Sequence, residues 1–341
     1  MLTKGRLFVV LWVSASLAAC ATSQPKKLQF TGSVPTRSEQ DFANWPVKPL
    51  EAQRLMAHAE YEVLNVAPAG SGTTRPEKIE IRFPETGDQF SVKGKLVPSG
   101  LDGFNNSPRK ELAAWKIQTF FLDPVDHTVP ATTLRCIPLE QWEKRNDKGT
   151  PVVPGTTCML VQISIWMQNV TVPDDLYEEE RFLNDLDYAY HIANFNIFAY
   201  LINLRDNRSG NVLTSKDESN RRVFAVDNGV AFGVILYNWF YPPTYSWRQI
   251  RVPALPRNSI ERLRKLRRED IDSLLVVNQL EADAGGVLRI VEPGPPINPN
   301  GGAQQEGTKV QFGLTVGEVD SVWERIESLL ERVDAGKITL F

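Results

Sequence analysis

Between Leu201 and Gly233 the chain reads LINLRDNRSGNVLTSKDESNRRVFAVDNGVAFG, which places Asp206 five residues before Asn211 and ahead of a strand–turn–strand pattern ending in Asp227-Asn228-Gly229. A carboxylate and an amide on one short loop, with a second carboxylate at the end of a nearby strand, are the groups that phosphoryl transfer needs. One carboxylate stands beside the attacking hydroxyl, and the other oxygens hold the metal ions that bridge nucleotide phosphates. An Asp-Asn-Gly run is also a good turn by itself. The apolar strand Val223-Phe224-Ala225-Val226 before it, and its distance from Asn211, favour the chemical reading.

The elements that must position these groups can be read from periodicity. Cys20 to about Leu50 is a polar linker with four prolines, and Glu51–Leu64 has helical apolar spacing. Strand-like pieces follow at Glu62–Ala67, Lys78–Phe83 and Phe90–Val97, the first two joined by a turn containing Gly70-Ser71-Gly72. Pro108–Phe121 reads as a helix with Leu112, Trp115, Ile117 and Phe120 as candidate buried positions. Two apolar runs, Ala131–Leu139 and Cys158–Met167, flank the turn-rich segment Asn146–Thr156 and suit neighbouring antiparallel strands. Tyr177–Leu204 is a long helical region rich in aromatics that ends at the Asp206 loop, with Asp185 and Asp187 as capping or surface acids. After Gly229 the pattern is loop and helix, notably Ser259–Arg268 and Gly317–Val333, with Pro293–Gly307 as an exposed loop. The basic helix from Arg257 to Arg268 suits an acidic ligand or, with Ile260, Leu263 and Leu266 as its core side, an ordinary solvated face.

Phe198–Asn211 followed by Phe224–Gly233 resembles the atypical kinases of the secretory pathway, the Golgi casein kinase group among them, and the type II phosphatidylinositol 4-kinases. The shared features are a leucine- and isoleucine-rich helix end (Ile197–Leu204), a loop Asp with a trailing Asn (Asp206, Asn211), and a hydrophobic strand into Asp-Asn-Gly (Val223–Gly229). The Arg that usually follows the loop Asp is absent: Arg205 precedes it and Asn207 follows. The resemblance implies an α+β fold of two-lobed protein-kinase-like form, with an antiparallel-sheet N-lobe over 51–168 and a mainly helical C-lobe over 169–341. It also implies ATP as a ligand, Asp206 as the group that takes the acceptor proton, and Asn211 and Asp227 as ligands of Mg²⁺ or Mn²⁺.

The same resemblance calls for a strand lysine on the α/β-phosphates and a helix glutamate holding it. Lys93 and Lys95 lie two apart in Phe90–Val97 and so share a face. Lys95 is preferred, because the Leu-Val-Pro after it matches the family's strand end, and Lys93 is the alternative. Glu111, in Arg109-Lys110-Glu111-Leu112-Ala113-Ala114, resembles the Glu-(Ile/Val)-Ala-Ala helix of those kinases. Alone, either lysine reads equally as a solvated strand residue and Glu111 as a first-turn acid favoured by the helix dipole. Gly70 and Gly72 would let backbone N–H groups approach phosphates, or simply make a turn.

The N-terminus sets the expected compartment. Lys4 and Arg6, the apolar Leu7–Val13 and the small-residue run Leu17-Ala18-Ala19-Cys20 form a secretory signal over 1–19, with a polar tether over 20–50. Cysteine directly after Leu-Ala-Ala resembles a lipoprotein lipobox, so Cys20 is the expected lipidation site and the bacterial cell envelope the expected location. An ordinary signal peptide is the alternative. Cys136 and Cys158 then remain as an even pair in an oxidising compartment, a candidate disulfide or a reduced buried pair. Past the tether roughly 290 residues remain, enough for one two-lobed domain or two small ones. The formal net charge of −3 is too small to imply a nucleic-acid partner. The expected function is ATP- and metal-dependent phosphoryl transfer to a hydroxyl acceptor on protein Ser/Thr, glycan or inositol lipid. An exported chain meets no cytoplasmic ATP pool, which motivates the alternative of a catalytically silent lipoprotein that binds or scaffolds.

Overall fold

Ile79 and Ile81 are buried and alternate with charged neighbours in Glu-Lys-Ile-Glu-Ile-Arg, the period of a strand with one face in a core. Phe90 and Val92 alternate in the same way on the neighbouring strand of a computed structural model, which describes residues 39–70, 74–144, 148–206, 210–233 and 247–341. The protein is mixed α+β, and its larger sheets are antiparallel. Strands β1 (Glu62–Pro68), β2 (Glu77–Arg82), β3 (Gln89–Leu96), β4 (Thr132–Pro138) and β5 (Cys158–Ile165) form one five-stranded sheet in the order β1-β2-β3-β5-β4.

Helix α1 (Pro49–His58) precedes this sheet and buries Ala52, Leu55 and Met56. It ends at His58, short of Leu64, because Glu62 already pairs with Arg82 in the β1–β2 ladder. Between β3 and β4 lies helix α2 (Pro108–Gln118), with proline in its first turn, where a missing N–H costs nothing. Leu112, Trp115 and Ile117 are buried as expected, and Phe120 packs half-buried beyond the helix end. Cys136 and Cys158 are joined by a disulfide with a Cα–Cα distance of 5.4 Å. They sit on paired strands, two register steps apart on the same face, since Cys136 opposes Leu160. A short helix, α3 (Leu139–Glu143), leaves β4 and buries Trp142.

Beyond β5 the chain makes a three-stranded sheet of β6 (Val170–Thr171), β7 (Val212–Ser215) and β8 (Val223–Ala225). The helical region of 177–204 is broken into α4 (Glu179–Asn184) and α5 (Leu186–Leu201). Asp185 makes the break: its backbone is extended and its carboxylate accepts the Tyr188 N–H at 3.0 Å, an N-cap that satisfies one orphan donor of α5. Helix α5 is buried along nearly its whole length, including Asn194 and Asn196. The Asn196 side chain donates to the Trp247 and Gln249 carbonyls and accepts from the Arg251 and Val252 N–H groups, which pins 247–252 against the helix.

The C-terminal third is not loop and helix alone. After β9 (Ala254–Leu255), α6 (Arg257–Lys265) and α7 (Arg268–Asp272) comes a four-stranded antiparallel sheet. Its members are β10 (Asn278–Ala282), β11 (Leu288–Val291), β12 (Ala303–Glu306) and β13 (Lys309–Phe312), in the order β11-β10-β13-β12. The stretch expected as an exposed loop over 293–307 therefore contains a strand. Leu280, Leu288, Val310 and Phe312 from this sheet share a core with Val97, Leu112, Leu134 and the Cys136–Cys158 pair, so the second sheet covers the first near the disulfide. Helix α8 (Val316–Asp334) starts with a reciprocal cap: Glu318 N–H donates to Thr315 Oγ1 and Thr315 N–H to Glu318 Oε2. Strand β14 (Thr339–Leu340) returns parallel to β9. The basic residues of α6 and its flank are largely neutralised within the molecule, Arg262 by Asp123, Arg264 by Asp334, and Arg268 by Asp272 and Asp320. No helix among the described residues is long and apolar enough to cross a membrane.

Candidate active site

Strand β3 brings Lys95 into the interior, where its side chain is 3% exposed. A lysine is almost never that buried without a partner, and here two carboxylates meet it. Glu111 Oε1 on α2 lies 3.1 Å from Nζ, and Asp227 Oδ1, just past β8, lies 2.6 Å from it. The other Glu111 oxygen, Oε2, accepts the Asn228 backbone N–H at 2.9 Å, so one glutamate ties the strand lysine to the Asp-Asn-Gly turn. Lys93 shares the face, more exposed at 25%, with Nζ 3.6 Å from Asp227 Oδ2. Of the two lysines, Lys95 makes the buried pair with Glu111, and Lys93 stands at its outer edge.

The turn itself is unusual in backbone. Asp227 has φ of +63°, a left-handed conformation tolerated by Asp better than by most side chains. Gly229 follows where a Cβ would lie 3.4 Å from the Ser107 nitrogen and 3.8 Å from Glu111 Oε1, so the turn passes close under the start of α2.

Charge coupling sets the protonation states. Burial works against the Lys95 ammonium, but Glu111 and Asp227 outweigh it and hold its proton affinity above the usual lysine range. Burial would likewise raise the Asp227 carboxyl, yet Lys95 and Lys93 bring it down to about 2. Lys93 is lowered, first by burial and then by repulsion from Lys95, despite Asp227. Asp227 is thus an ionised carboxylate at neutral pH, about one-third exposed.

The loop residues adjoin this group through the backbone. Asn211 Nδ2 donates to the Asp206 carbonyl at 3.4 Å, and Val226 N–H donates to the Asn211 carbonyl at 2.8 Å, one residue before Asp227. The Phe232 N–H reaches the Ile202 carbonyl at 2.8 Å, closing the segment after Gly229 onto the end of α5. Lys95, Glu111, Asp227 and Lys93 are in direct contact, and Asp206 and Asn211 belong to the adjoining loop.

Gly70 has φ of +99° at the end of the β1–β2 turn, a conformation that favours glycine, and no Cβ there would touch anything within 4 Å. Gly72 and the lipobox Cys20 lie outside the described residues. A divalent ion would find oxygen donors of suitable type in the Asp227 carboxylate and the Asn211 amide carbonyl, the hard set that Mg²⁺ and Mn²⁺ prefer. Among the described residues no three His, Cys, Asp or Glu side chains gather as a metal site.

Sequence reasoning missed what holds Glu111 in place. Arg109, two residues earlier on α2, donates through Nε to Asp102 at 2.6 Å and through both Nη atoms to Glu318 in the cap of α8. A Cβ on Gly302, beside β12, would meet the Arg109 guanidinium at 3.0 Å, so the overlooked sheet also packs on this arginine. The Arg109-Lys110-Glu111 triplet was visible in the sequence; nothing local marks a partner 209 residues away. Compared with models of known protein families the sequence matches none, and no curated protein is similar to it at a significant level.

Proposed function

We propose that this protein is an ATP-dependent phosphotransferase of two-lobed, protein-kinase-like form, exported and lipid-anchored through Cys20 in a bacterial cell envelope. The observation that carries the proposal is the meeting of Lys95, Glu111 and Asp227. They come from a sheet strand, the following helix and a turn 132 residues beyond Lys95, and they converge within hydrogen-bond distance. A fully buried ammonium held by two carboxylates is costly to desolvate, and such constellations concentrate at functional sites. The α2 helix following β3, and the Asp206–Asn211 loop preceding β7, stand in the order such an enzyme requires.

In this reading Lys95 presents a permanent positive charge to nucleotide phosphates, and Glu111 fixes its position. Asp206 accepts the proton of the attacking hydroxyl. Asp227 and Asn211 would hold a divalent ion, which when bound neutralises phosphate charge. Both Asp227 oxygens face lysines, so phosphates arriving at Lys95 and Lys93 would release the carboxylate for that role. The same lysine contacts favour a second reading, a silent nucleotide-binding module in which Asp227 stays engaged.

The deciding experiment incubates the protein with γ-labelled ATP and Mg²⁺ or Mn²⁺, beside Asp227→Ala. Metal-dependent label transfer or phosphate release, lost by at least about a hundredfold in the variant, is expected. Nucleotide binding without turnover would support the silent module, and absence of both would refute the phosphotransferase reading.

A further inference from the structure

The Lys95–Asp227 contact joins two separate sheets. Lys95 stands on β3 of the five-stranded sheet, and Asp227 lies just past β8 of the three-stranded one. Hydrogen bonding is narrow in distance and angle, so the contact forms only where the sheets keep their relative place. The chain passes directly from one sheet to the other through residues 166–169, between β5 and β6. Four residues by themselves, each with two soft dihedrals, would leave the sheets free to turn. A second stretch, residues 41–45, lies against that connection and takes up its polar groups. Gln168 N–H donates to the Asn44 carbonyl at 3.0 Å. The Asn44 side-chain amide donates back to the Gln168 and Asn169 carbonyls, each at 3.1 Å, and the Asn169 amide donates to the Ala43 carbonyl at 3.2 Å. The Asn169 carbonyl also accepts the Lys216 N–H at 2.8 Å, which ties the same connection to the end of β7.

The same short stretch also grips both sheets. Trp45 is buried and meets the Phe224 ring edge-on, with centroids 5.4 Å apart; Phe224 is on β8, three residues before Asp227. Arg222, buried just before β8, donates to the Asp41 carbonyl and to the Val125 carbonyl in the stretch between α2 and β4. Asn220 Nδ2 donates to Asp41 Oδ1 at 3.3 Å. Past Trp45 the chain enters α1, which is held to the five-stranded sheet. Arg135 of β4 donates to the Ala57 carbonyl at 2.7 Å and to the Ala59 carbonyl at 2.8 Å. Residues 41–45 thus bind the strand that leads to Asp227, while the helix that follows them binds the sheet that carries Lys95. Asn44 is 2% exposed, so an alanine there would leave buried carbonyls short of a donor.

We propose that Asn44 and Trp45 are positioning residues: residues 41–45 form a strap that sets the three-stranded sheet against the five-stranded one, so that Asp227 meets Lys95 and the turn at Asn228 meets Glu111. The effect on turnover rests on the phosphotransferase reading, whereas the hold on the two sheets does not. Asn44 acts through Gln168 and Asn169, and Trp45 acts through Phe224; neither touches a reacting atom. Lys95 orients phosphates from one sheet while Asp227 serves the metal ion from the other. Misplacing one against the other by about 1 Å would cost turnover on the order of a hundredfold. The Asn228 N–H, which donates to Glu111 Oε2 at 2.9 Å, reports the same meeting without any nucleotide.

The test uses the full-length protein in detergent with three variants, Asn44→Ala, Trp45→Leu and Trp45→Phe. Leu329→Ala, on the buried face of α8, is the control for lost stability alone. Amide hydrogen exchange of the Asn228 N–H is read without nucleotide, and phosphate release from γ-labelled ATP gives kcat and KM. In Asn44→Ala and Trp45→Leu, Asn228 exchange should quicken about tenfold, and kcat should fall at least about tenfold with a smaller change in the KM for ATP. Trp45→Phe, which keeps an aromatic edge against Phe224, should retain most of both. Leu329→Ala should change neither, although its unfolding midpoint drops. Should Asn44→Ala fail to fold, the two Trp45 variants carry the same comparison. Exchange and kcat unchanged in the strap variants, or shifted equally in Leu329→Ala, overturn the inference and leave the phosphotransferase reading standing. Faster exchange with an unchanged kcat also overturns it. An unsubstituted protein without turnover, beside strap variants with faster Asn228 exchange, keeps the hold on the two sheets and refutes the phosphotransferase reading.

Discussion

Lys95 and Glu111 should be energetically coupled, and the size of the coupling follows from their contacts. Glu111 accepts two hydrogen bonds, from Lys95 Nζ at 3.1 Å and Asn228 N–H at 2.9 Å, in a site where its side chain is 7% exposed. Removing one partner of a buried ion pair costs about 3–5 kcal/mol when the other charge is left alone. Lys95 is not left alone, because Asp227 Oδ1 remains 2.6 Å away. Glu111→Gln, which keeps the shape and one acceptor, should therefore cost less, about 2–3 kcal/mol. Lys95→Met leaves two carboxylates close together and should cost about 3 kcal/mol. In the double variant the Lys95–Glu111 contact is lost only once, so the two costs should fall short of additivity by about 1–2 kcal/mol. Guanidinium unfolding of the four proteins, followed by circular dichroism with slopes compared, measures this. Additivity within about 0.5 kcal/mol would refute the claim that this pair is a working contact. Turnover gives an independent readout: Lys95→Met should lower kcat at least about a hundredfold.

Three further outcomes follow from other parts of the fold. Reducing the Cys136–Cys158 disulfide, which closes a loop with a sequence separation of 22, should lower stability by about 3 kcal/mol, read as a lower denaturant midpoint in dithiothreitol. His127 is held down to about 3, first by burial and then by Arg222, so it is neutral when folded and protonates more readily when unfolded. Its effect on stability is complete above the ordinary histidine range near pH ~6.5 and deepens as a loss as pH falls towards 3; His127→Gln should flatten that acid slope in a urea-midpoint series. Gly313→Ala would set a Cβ 2.0 Å from the Leu275 carbonyl oxygen, and should lower the melting midpoint by at least about 6 °C by forcing the 274–277 backbone away from β13.

Much of the first half was legible because its signals are local. The alternation around Ile79 and Ile81, the turn near Gly70, the proline-led helix carrying Glu111, and the apolar runs around Cys136 and Cys158 each depend on neighbours within a few residues. Asp185 was readable as a capping acid, although the break it makes in the 177–204 helix was not, since the apolar pattern runs on through it. The strands β10 to β13 were missed for a comparable reason. Sequences such as Asn-Gln-Leu-Glu-Ala and Ala-Gln-Gln-Glu have little apolar alternation and low strand propensity, and they become strands by pairing on either side of β13, next to the core at Cys136 and Phe312.

The sequence by itself determined which chemical groups this protein has to work with: a strand lysine pair, a helix glutamate, a loop Asp and Asn, and an Asp-Asn-Gly turn, in an order that suits phosphoryl transfer. Tertiary structure decided which of them meet. It chose Lys95, 3% exposed, over Lys93, 25% exposed, for the pair with Glu111. It set Arg109 against Glu318. Those outcomes depend on where separate elements pack, and packing is settled by burial summed over the whole core, which no short window of sequence contains.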